Sequence, residues 1–150
     1  MKIYRCEDFK KVELDGFYEI KKRIDLISKS EIKNILNACD YNEETLKNWI
    51  NLIGVRCESV KILDEAILFT VDNKELMISR LSSGERMILY IIACKELNKK
   101  LVIHSLFERL GKRLRNVLDD VAYNYENLVV ILYNTGVTDK LKKYIVEVPR

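Results

Sequence analysis

The sequence predicts an α/β fold: a small, mostly parallel sheet with flanking helices, preceded by a helical N-terminal region. Two observations carry this prediction. Short apolar strands and helices alternate through the second half of the chain, which is typical of parallel sheets with right-handed crossovers. One of those strands, residues 128–133, is apolar throughout, as expected for a strand buried on both faces.

Length and composition predict a single domain. The chain has 150 residues, of which 48% are hydrophobic, and this is enough to bury a core. We divide it into a mainly helical region, residues 1–65, and an α/β region, residues 66–150. The four cysteines form no Cys-x-x-Cys pair, which favours a reducing compartment. No apolar leader core or 18-residue apolar run is present, so we expect a cytoplasmic protein and no membrane partner.

The first half contains strand and helix signals in turn. Residues 2–5 predict a short strand, and Asp15-Gly16 predicts a hairpin turn between strands at 12–14 and 17–20, although a helix over 18–27 fits nearly as well. Ser30 and Asn42 each precede an amphipathic stretch as N-cap residues. The second stretch ends at a glycine, and its apolar positions are Leu46, Trp49, Ile50 and Ile53, followed by Gly54.

The second half predicts a strand pair followed by alternating helices and strands. Strands are predicted at 59–63, 66–71 and 76–79, with a turn at Asp72-Asn73. The later elements are a helix over 83–97, a strand over 101–104, a helix over 107–123, a strand over 128–133, a short helix opened by Gly136 and Thr138, and a strand over 144–148. The helix over 83–97 is apolar nearly all round, which predicts burial on more than one side.

The start of that long helix is the most informative segment. Ser82 and Glu85 have the spacing of a capping box, in which each side chain bonds the other residue's backbone N–H. The free N–H groups and positive dipole end of such a helix start favour an anion such as a phosphate. The sequence contains no Gly-x-x-x-x-Gly-Lys-Ser/Thr motif, so it has no P-loop of its own.

The order of segments after residue 66 is the basis of a family resemblance. A strand pair leads into Leu-Ser-Ser-Gly-Glu at residues 81–85, similar to the signature Leu-Ser-Gly-Gly-Glu/Gln, and a long apolar helix follows. Residues 101–105 lie where a Walker B strand stands, and residues 129–135 where the strand before the switch histidine stands. This part of the chain resembles the C-terminal half of an ABC-type ATPase head, in the branch that includes SMC-like and AAA-designated ATPases.

Residues that the family uses for catalysis are replaced in this chain. The family's Walker B strand ends in Asp-Glu, whereas His104 and Ser105 stand here. The position of the switch histidine falls at Asn134 or Thr135. Phosphoryl transfer needs a phosphate cradle, a metal and a positioned water together. The resemblance therefore implies a degenerate, ATPase-like protein with no catalytic residues and no autonomous hydrolysis.

One family function does not depend on the missing residues. In the family, the signature closes in trans over the γ-phosphate of a nucleotide held by the facing subunit. The resemblance implies a non-catalytic partner or regulatory subunit that docks on a complete ABC-type ATPase, or a homodimer. ATP and Mg²⁺ would be held by the partner, and the residues presented to the nucleotide would be Ser82, Ser83, Gly84 and Glu85. Ser83 replaces one of the two glycines of the family's signature and adds a side chain there.

Basic residues support an alternative of a different class, a small nucleic-acid-associated protein that uses a basic helix and tail. The candidate residues are Lys112, Arg113, Arg115, Lys140, Lys142 and Lys143. The chain has 26 basic and 23 acidic residues, and this near balance ranks the alternative second. A solvated outer helix face explains the same residues.

A third hypothesis is an enzyme with an unfamiliar site, in which Glu108 or Glu85 acts as acid or base. This hypothesis ranks last because the sequence identifies no second catalytic residue to act with either glutamate. No metal site is predicted, because the chain has one histidine, His104, and its cysteines lack ligand spacing. Nothing in the sequence supports a nucleophilic pair of Cys94 with His104. We expect His104 to be a core or strand-end residue and Trp49 to be a core residue.

Overall fold

The computed structural model describes residues 1–5, 16–20, 34, 42–64, 66–104, 110–132 and 142–146. In chain order, the elements in these ranges are β1 (Lys2–Arg5), β2 (Tyr18–Ile20), α1 (Glu43–Leu52), β3 (Ser59–Ile62), β4 (Ile67–Val71), β5 (Lys74–Met77), α2 (Ser83–Glu96), β6 (Leu101–His104), α3 (Lys112–Tyr123) and β7 (Leu128–Leu132). Single 3-10 turns lie at Ile78–Arg80 and Lys142–Tyr144. The predicted α/β class, with a small parallel sheet and flanking helices, is confirmed.

The larger sheet is parallel and has the strand order β1-β7-β6-β2. Val130 in β7 stands opposite both Ile3 and Ile103, so β7 is a central strand. Side chains alternate between the two faces of a strand. One face contributes Ile3, Leu101, Ile103, Leu128 and Val130 to the main core, and the other buries Tyr4, Val102, Val129 and Ile131. Burial of β7 on both faces explains its continuous apolar sequence.

The smaller sheet is antiparallel, in the order β3-β4-β5. Asp72 and Asn73 connect β4 to β5 with φ of 52° and 63°, as a two-residue hairpin turn of the left-handed kind requires. Helix α1 packs beside this sheet. The Asn51 side chain accepts the N–H of Cys57 at 2.9 Å and donates to its carbonyl at 3.2 Å, which joins the end of α1 to the approach to β3.

The predicted boundaries of α1 are confirmed. Asn42 Oδ1 accepts the N–H of Thr45 at 2.9 Å and caps the helix. Gly54 follows the helix with φ of 98°, a conformation that glycine adopts without a Cβ penalty. The predicted apolar face is buried at Leu46, Ile50 and Ile53, while Trp49 is partly buried against the same core.

Helices α2 and α3 run side by side in the same direction. Near their starts, Gly84 packs against Leu114. Near their ends, Lys95 Nζ donates to the Val121 carbonyl at 3.0 Å. Because α3 connects the parallel neighbours β6 and β7, it runs opposite to the strands and begins at their carboxyl ends. Both helix starts therefore lie at the carboxyl edge of the parallel sheet.

Three predicted boundaries were wrong. Helix α3 begins at Lys112 rather than at 107, because Leu110 is not helical and Gly111 takes extended angles as the N-cap. Strand β5 covers Lys74–Met77 rather than 76–79, because a two-residue turn lets the strand resume at once. Within 144–146, the described part of the predicted last strand, Ile145 forms one parallel bridge with Ile3 and Tyr144 ends a 3-10 turn.

The two regions named from the sequence share one sheet. Strands β1 and β2 come from residues 1–65 and flank β7 and β6 from residues 66–150. The strand prediction at residues 2–5 is confirmed, and residues 18–20 form a strand rather than the alternative helix. The predicted strand before Asp15, the helix capped by Ser30 and the short helix after Gly136 lie outside the described residues.

Candidate functional site

The start of α2 forms the predicted capping box. Ser82 has extended angles, φ −61° and ψ 161°, and its Oγ accepts the N–H of Glu85 at 3.2 Å. Glu85 Oε1 accepts the N–H of Ser82 at 2.8 Å in return. The helix therefore starts at a fixed residue, and its first turn is held by two local hydrogen bonds.

The outer side of this helix start faces solvent. Ser82 and Ser83 are exposed, whereas all eight residues from Met87 to Cys94 are buried. The first N–H groups of a helix have no partner within the helix. Within the described ranges, the N–H groups of Ser83 and Gly84 meet no acceptor. Two N–H donors, the Ser83 hydroxyl and the positive end of the α2 dipole therefore lie together at the helix start.

Gly84 has a packing role at the same place. A Cβ atom built on it would lie 2.8 Å from Leu114 Cδ1 and 3.3 Å from Leu110 Cδ2, closer than ordinary van der Waals contact. The missing side chain therefore lets the start of α3 approach the start of α2. Ser82 and Ser83 form the open side of the segment, and Gly84 lies at the covered side.

Arg113 joins three elements around the helix start. Its Nη2 lies 3.6 Å from Glu85 Oε2. Its Nη1 donates to the carbonyl of Ile53 at the end of α1 and lies directly over Gly54, where a Cβ atom would collide with it. A cation at this position complements the negative end of the α1 dipole as well as the Glu85 carboxylate. We call the contacts of Arg113 with Ile53 and Glu85 the Arg113 brace.

Arg86 fixes the chain that leads into α2. Its Nη1 donates to the carbonyls of Ser79 at 2.9 Å and Leu81 at 3.2 Å. The side chain therefore holds the 3-10 turn before the helix against the first turn of the helix itself. Hydrogen bonds therefore hold the backbone both before and after the exposed Ser82–Ser83 pair.

The residues of the nucleic-acid hypothesis lie at two ends of α3. Lys112 is exposed at its start, and Arg113 is held in the brace. Lys143 lies 5.2 Å from the ring centroid of Tyr123, the last residue of α3. A helix rises 1.5 Å per residue, so the backbones of residues 112 and 123 are separated by roughly 16 Å.

The remaining candidates do not form one patch either. Arg115 is partly buried on α3, Lys142 is exposed beside Lys143, and Lys140 lies outside the described residues. The described basic residues therefore form two small groups rather than a continuous stripe along one surface.

His104 and Cys94 belong to different sides of the parallel sheet. His104 is partly buried at the end of β6 and shares the face of Val102, by strand alternation. Cys94 is fully buried in α2, within the core that covers the opposite face. This placement on opposite faces gives no support for a nucleophilic pair of Cys94 with His104.

The Arg113 brace is the part of this site that the sequence did not reveal. Arg113 and Ile53 are 60 residues apart, and no local spacing links them. Two signals in the sequence relate to the brace: a glycine directly after α1, and a basic residue in the first turn of α3, where the helix dipole disfavours a cation.

Comparisons and searches add no functional assignment. The chain matches no protein-family model and no curated protein. Among the described residues, no three of His, Cys, Asp and Glu gather as metal ligands. A search of the helices in the described ranges finds none with both the length and the hydropathy to cross a membrane.

Proposed function

We propose that this chain is a non-catalytic, ATPase-like subunit that docks on a complete ABC-type ATPase and presents the start of α2 to its nucleotide. The observation that carries the proposal is the exposed Ser82–Ser83 helix start, held in place by its capping box and by the Arg113 brace. A fixed set of N–H donors loses little freedom when it binds an anion, which favours binding.

The order of elements supports the ATPase-like part of the proposal. The antiparallel hairpin β4–β5 leads into the capping segment, α2 follows it, and β6 and β7 are parallel neighbours. This is the order in which the C-terminal half of an ABC-type head arranges its signature helix and Walker B strand. Residues 1–65 would then complete the sheet, through β1 and β2, in place of the missing nucleotide lobe.

The chemistry at this site suits binding rather than hydrolysis. In the resemblance, His104 at the end of β6 aligns with a family carboxylate that orders Mg²⁺, and an imidazole is a poor ligand for that hard cation. The N–H donors of Ser83 and Gly84 would instead contact phosphate oxygens of ATP whose Mg²⁺ and Walker A residues belong to the partner. Two copies of this chain would lack a Walker A motif altogether, so we propose a different chain as the partner.

The nucleic-acid alternative receives less support. It needs a continuous row of free cations for phosphates. Arg113 already bonds Ile53 and Glu85, and Lys143 lies over two tyrosine rings, roughly a helix length from Lys112.

The test measures the Mg-ATP turnover of the complete ABC-type ATPase encoded nearest to this chain, with and without the purified chain. We expect the wild-type chain to change turnover and Ser83→Glu to remove most of that effect, because its carboxylate repels an anion at the helix start without replacing the capping bonds of Ser82 and Glu85. Ser59→Glu, at an exposed serine of β3, is the matched control and should act as wild type. Unchanged turnover with the wild-type chain, or an equal effect of Ser83→Glu and wild type, would refute the proposal.

A further inference from the structure

Residues 142–146 lie along the side of β1 that faces away from β7. Ile145 pairs with Ile3 in parallel, and the Val146 N–H donates to the Ile3 carbonyl at 2.8 Å. This is a single bridge, whereas β1 and β7 pair over four residues. In the described part of the chain, the segment therefore covers the edge of the parallel sheet with few backbone hydrogen bonds.

A cluster of one cation and two rings ties the same segment to α3. Lys143 Nζ lies 5.2 Å from the ring centroid of Tyr123 and 5.4 Å from that of Tyr144. The two rings meet edge to face, with centroids 6.0 Å apart and an interplanar angle of 84°. Both distances are within the range of cation–π attraction, and the ring arrangement is a favourable one.

The position of the cluster on α3 strengthens the attraction. Tyr123 is the last residue of α3, and the carbonyl groups at a helix end attract a cation. The cluster lies at the surface, since Tyr123 is 42% exposed and Lys143 is exposed. The ammonium of Lys143 can therefore be altered without disturbing the buried core.

We propose that the Lys143–Tyr123–Tyr144 cluster is a charge-dependent latch that keeps residues 142–146 on the edge of β1. With the ammonium present, the segment stays docked and the outward backbone groups of Ile3 are covered. When the charge of Lys143 is neutralised, both cation–π contacts are lost, while the bridge and the packing of Tyr144, Ile145 and Val146 against the core remain. The segment then opens locally more often, and each opening uncovers a sheet edge, which is the kind of surface to which another strand adds.

Amide hydrogen exchange of the full chain, followed by NMR, tests the latch at the Val146 N–H. Lys143→Gln removes the charge, whereas Lys143→Arg keeps a cation over the rings. We expect Lys143→Gln to raise the exchange rate of Val146 roughly five- to thirty-fold, as the loss of two exposed cation–π contacts implies. Lys143→Arg should leave the rate near that of wild type, and Tyr123→Leu should raise it as Lys143→Gln does.

Lys112→Gln, at an exposed lysine on the other end of α3, controls for a general effect of lost charge and should leave Val146 unchanged. Core amides of β7 should keep their wild-type protection in every variant, because the latch acts locally. The proposal is overturned if Val146 exchanges at the wild-type rate in Lys143→Gln, if Lys143→Arg matches Lys143→Gln, or if the β7 amides lose protection together with Val146.

Discussion

The carboxylate of Glu85 lies 3.6 Å from the guanidinium of Arg113, across the adjoining starts of α2 and α3. The same carboxylate accepts the N–H of Ser82, and the same guanidinium donates to the Ile53 carbonyl. One pair of side chains thus connects the capping box of α2 with the end of α1. The position of the exposed Ser82–Ser83 segment therefore depends on tertiary contacts as well as on local capping.

Removal of the Arg113 brace should lower stability modestly. We expect Arg113→Ala to reduce the free energy of unfolding by about 1 kcal/mol, mostly through the lost hydrogen bond to Ile53. The ion pair with Glu85 adds little, because the Arg113 side chain is 57% exposed and screened by solvent. Urea unfolding measures the change, with Lys112→Ala as the exposed control in the same helix turn. A loss for Lys112→Ala as large as that for Arg113→Ala would contradict the brace.

The N-cap residue Ser82 should contribute more to stability than the neighbouring Ser83. Ser82→Ala removes the acceptor for the Glu85 N–H and should reduce the free energy of unfolding by about 1 kcal/mol. Ser82→Asp should retain most of the stability, because aspartate caps well and suits the helix dipole. Ser83→Ala is the matched control, and surface substitutions of this kind change stability by less than about 0.5 kcal/mol. Equal effects of Ser82→Ala and Ser83→Ala on urea midpoints would argue against the capping bonds.

Side-chain size at residue 84 should control how closely α2 and α3 approach. Gly84→Ala brings a Cβ against the mobile end of Leu114, but it also improves helix propensity by about 1 kcal/mol, so we expect little net change. Gly84→Val adds two methyl groups that Leu110 and Leu114 cannot both avoid, and should destabilise by about 1–3 kcal/mol. Thermal unfolding of both variants checks the difference. Equal stability of Gly84→Val and wild type would mean that the leucines move away at no cost.

Local patterns predicted the parts of the fold that depend on neighbours in sequence. The caps at Asn42 and Ser82, the turn at Asp72-Asn73 and the buried strand β7 each rest on contacts within a few residues or on one continuous apolar run. The sheet order was not predictable in this way. The placement of β1 beside β7 requires pairing across more than 120 residues, for which neither strand has a distinguishing pattern.

The same distinction between local and long-range contacts applies to the residues of the candidate site. Ser82 and Glu85 were predictable from their spacing, because a capping box is a local motif. The role of Arg113 was not, since a basic residue on a helix surface has the same sequence pattern whether it meets solvent, a phosphate or the Ile53 carbonyl. The grouping of the basic residues also depended on where α3 begins, and Gly111 shortened that helix relative to its apolar periodicity.

Tyr125 should make stability depend on pH in the alkaline range. Its side chain is almost fully buried, and its hydroxyl donates to the Lys99 carbonyl at 2.8 Å. Burial raises the pKa of Tyr125 far above its ordinary value, because the phenolate would lose its hydration. Below about pH 10, tyrosine is protonated in both the folded and the unfolded chain, so the contribution of the group is fully present. Above that pH the unfolded chain releases a proton that the folded chain keeps, and stability falls by about 1.4 kcal/mol per pH unit.

Tyr125→Phe isolates this effect from the ionisation of other groups. Near neutral pH, the wild-type chain should be more stable than Tyr125→Phe by about 1 kcal/mol, the contribution of one hydrogen bond. As the pH rises above about 10, that advantage should shrink and then reverse, because phenylalanine releases no proton on unfolding. Urea unfolding of both chains at closely spaced pH values measures the difference directly. A difference that stays constant across this range would show that Tyr125 ionises as readily in the folded chain as in the unfolded one.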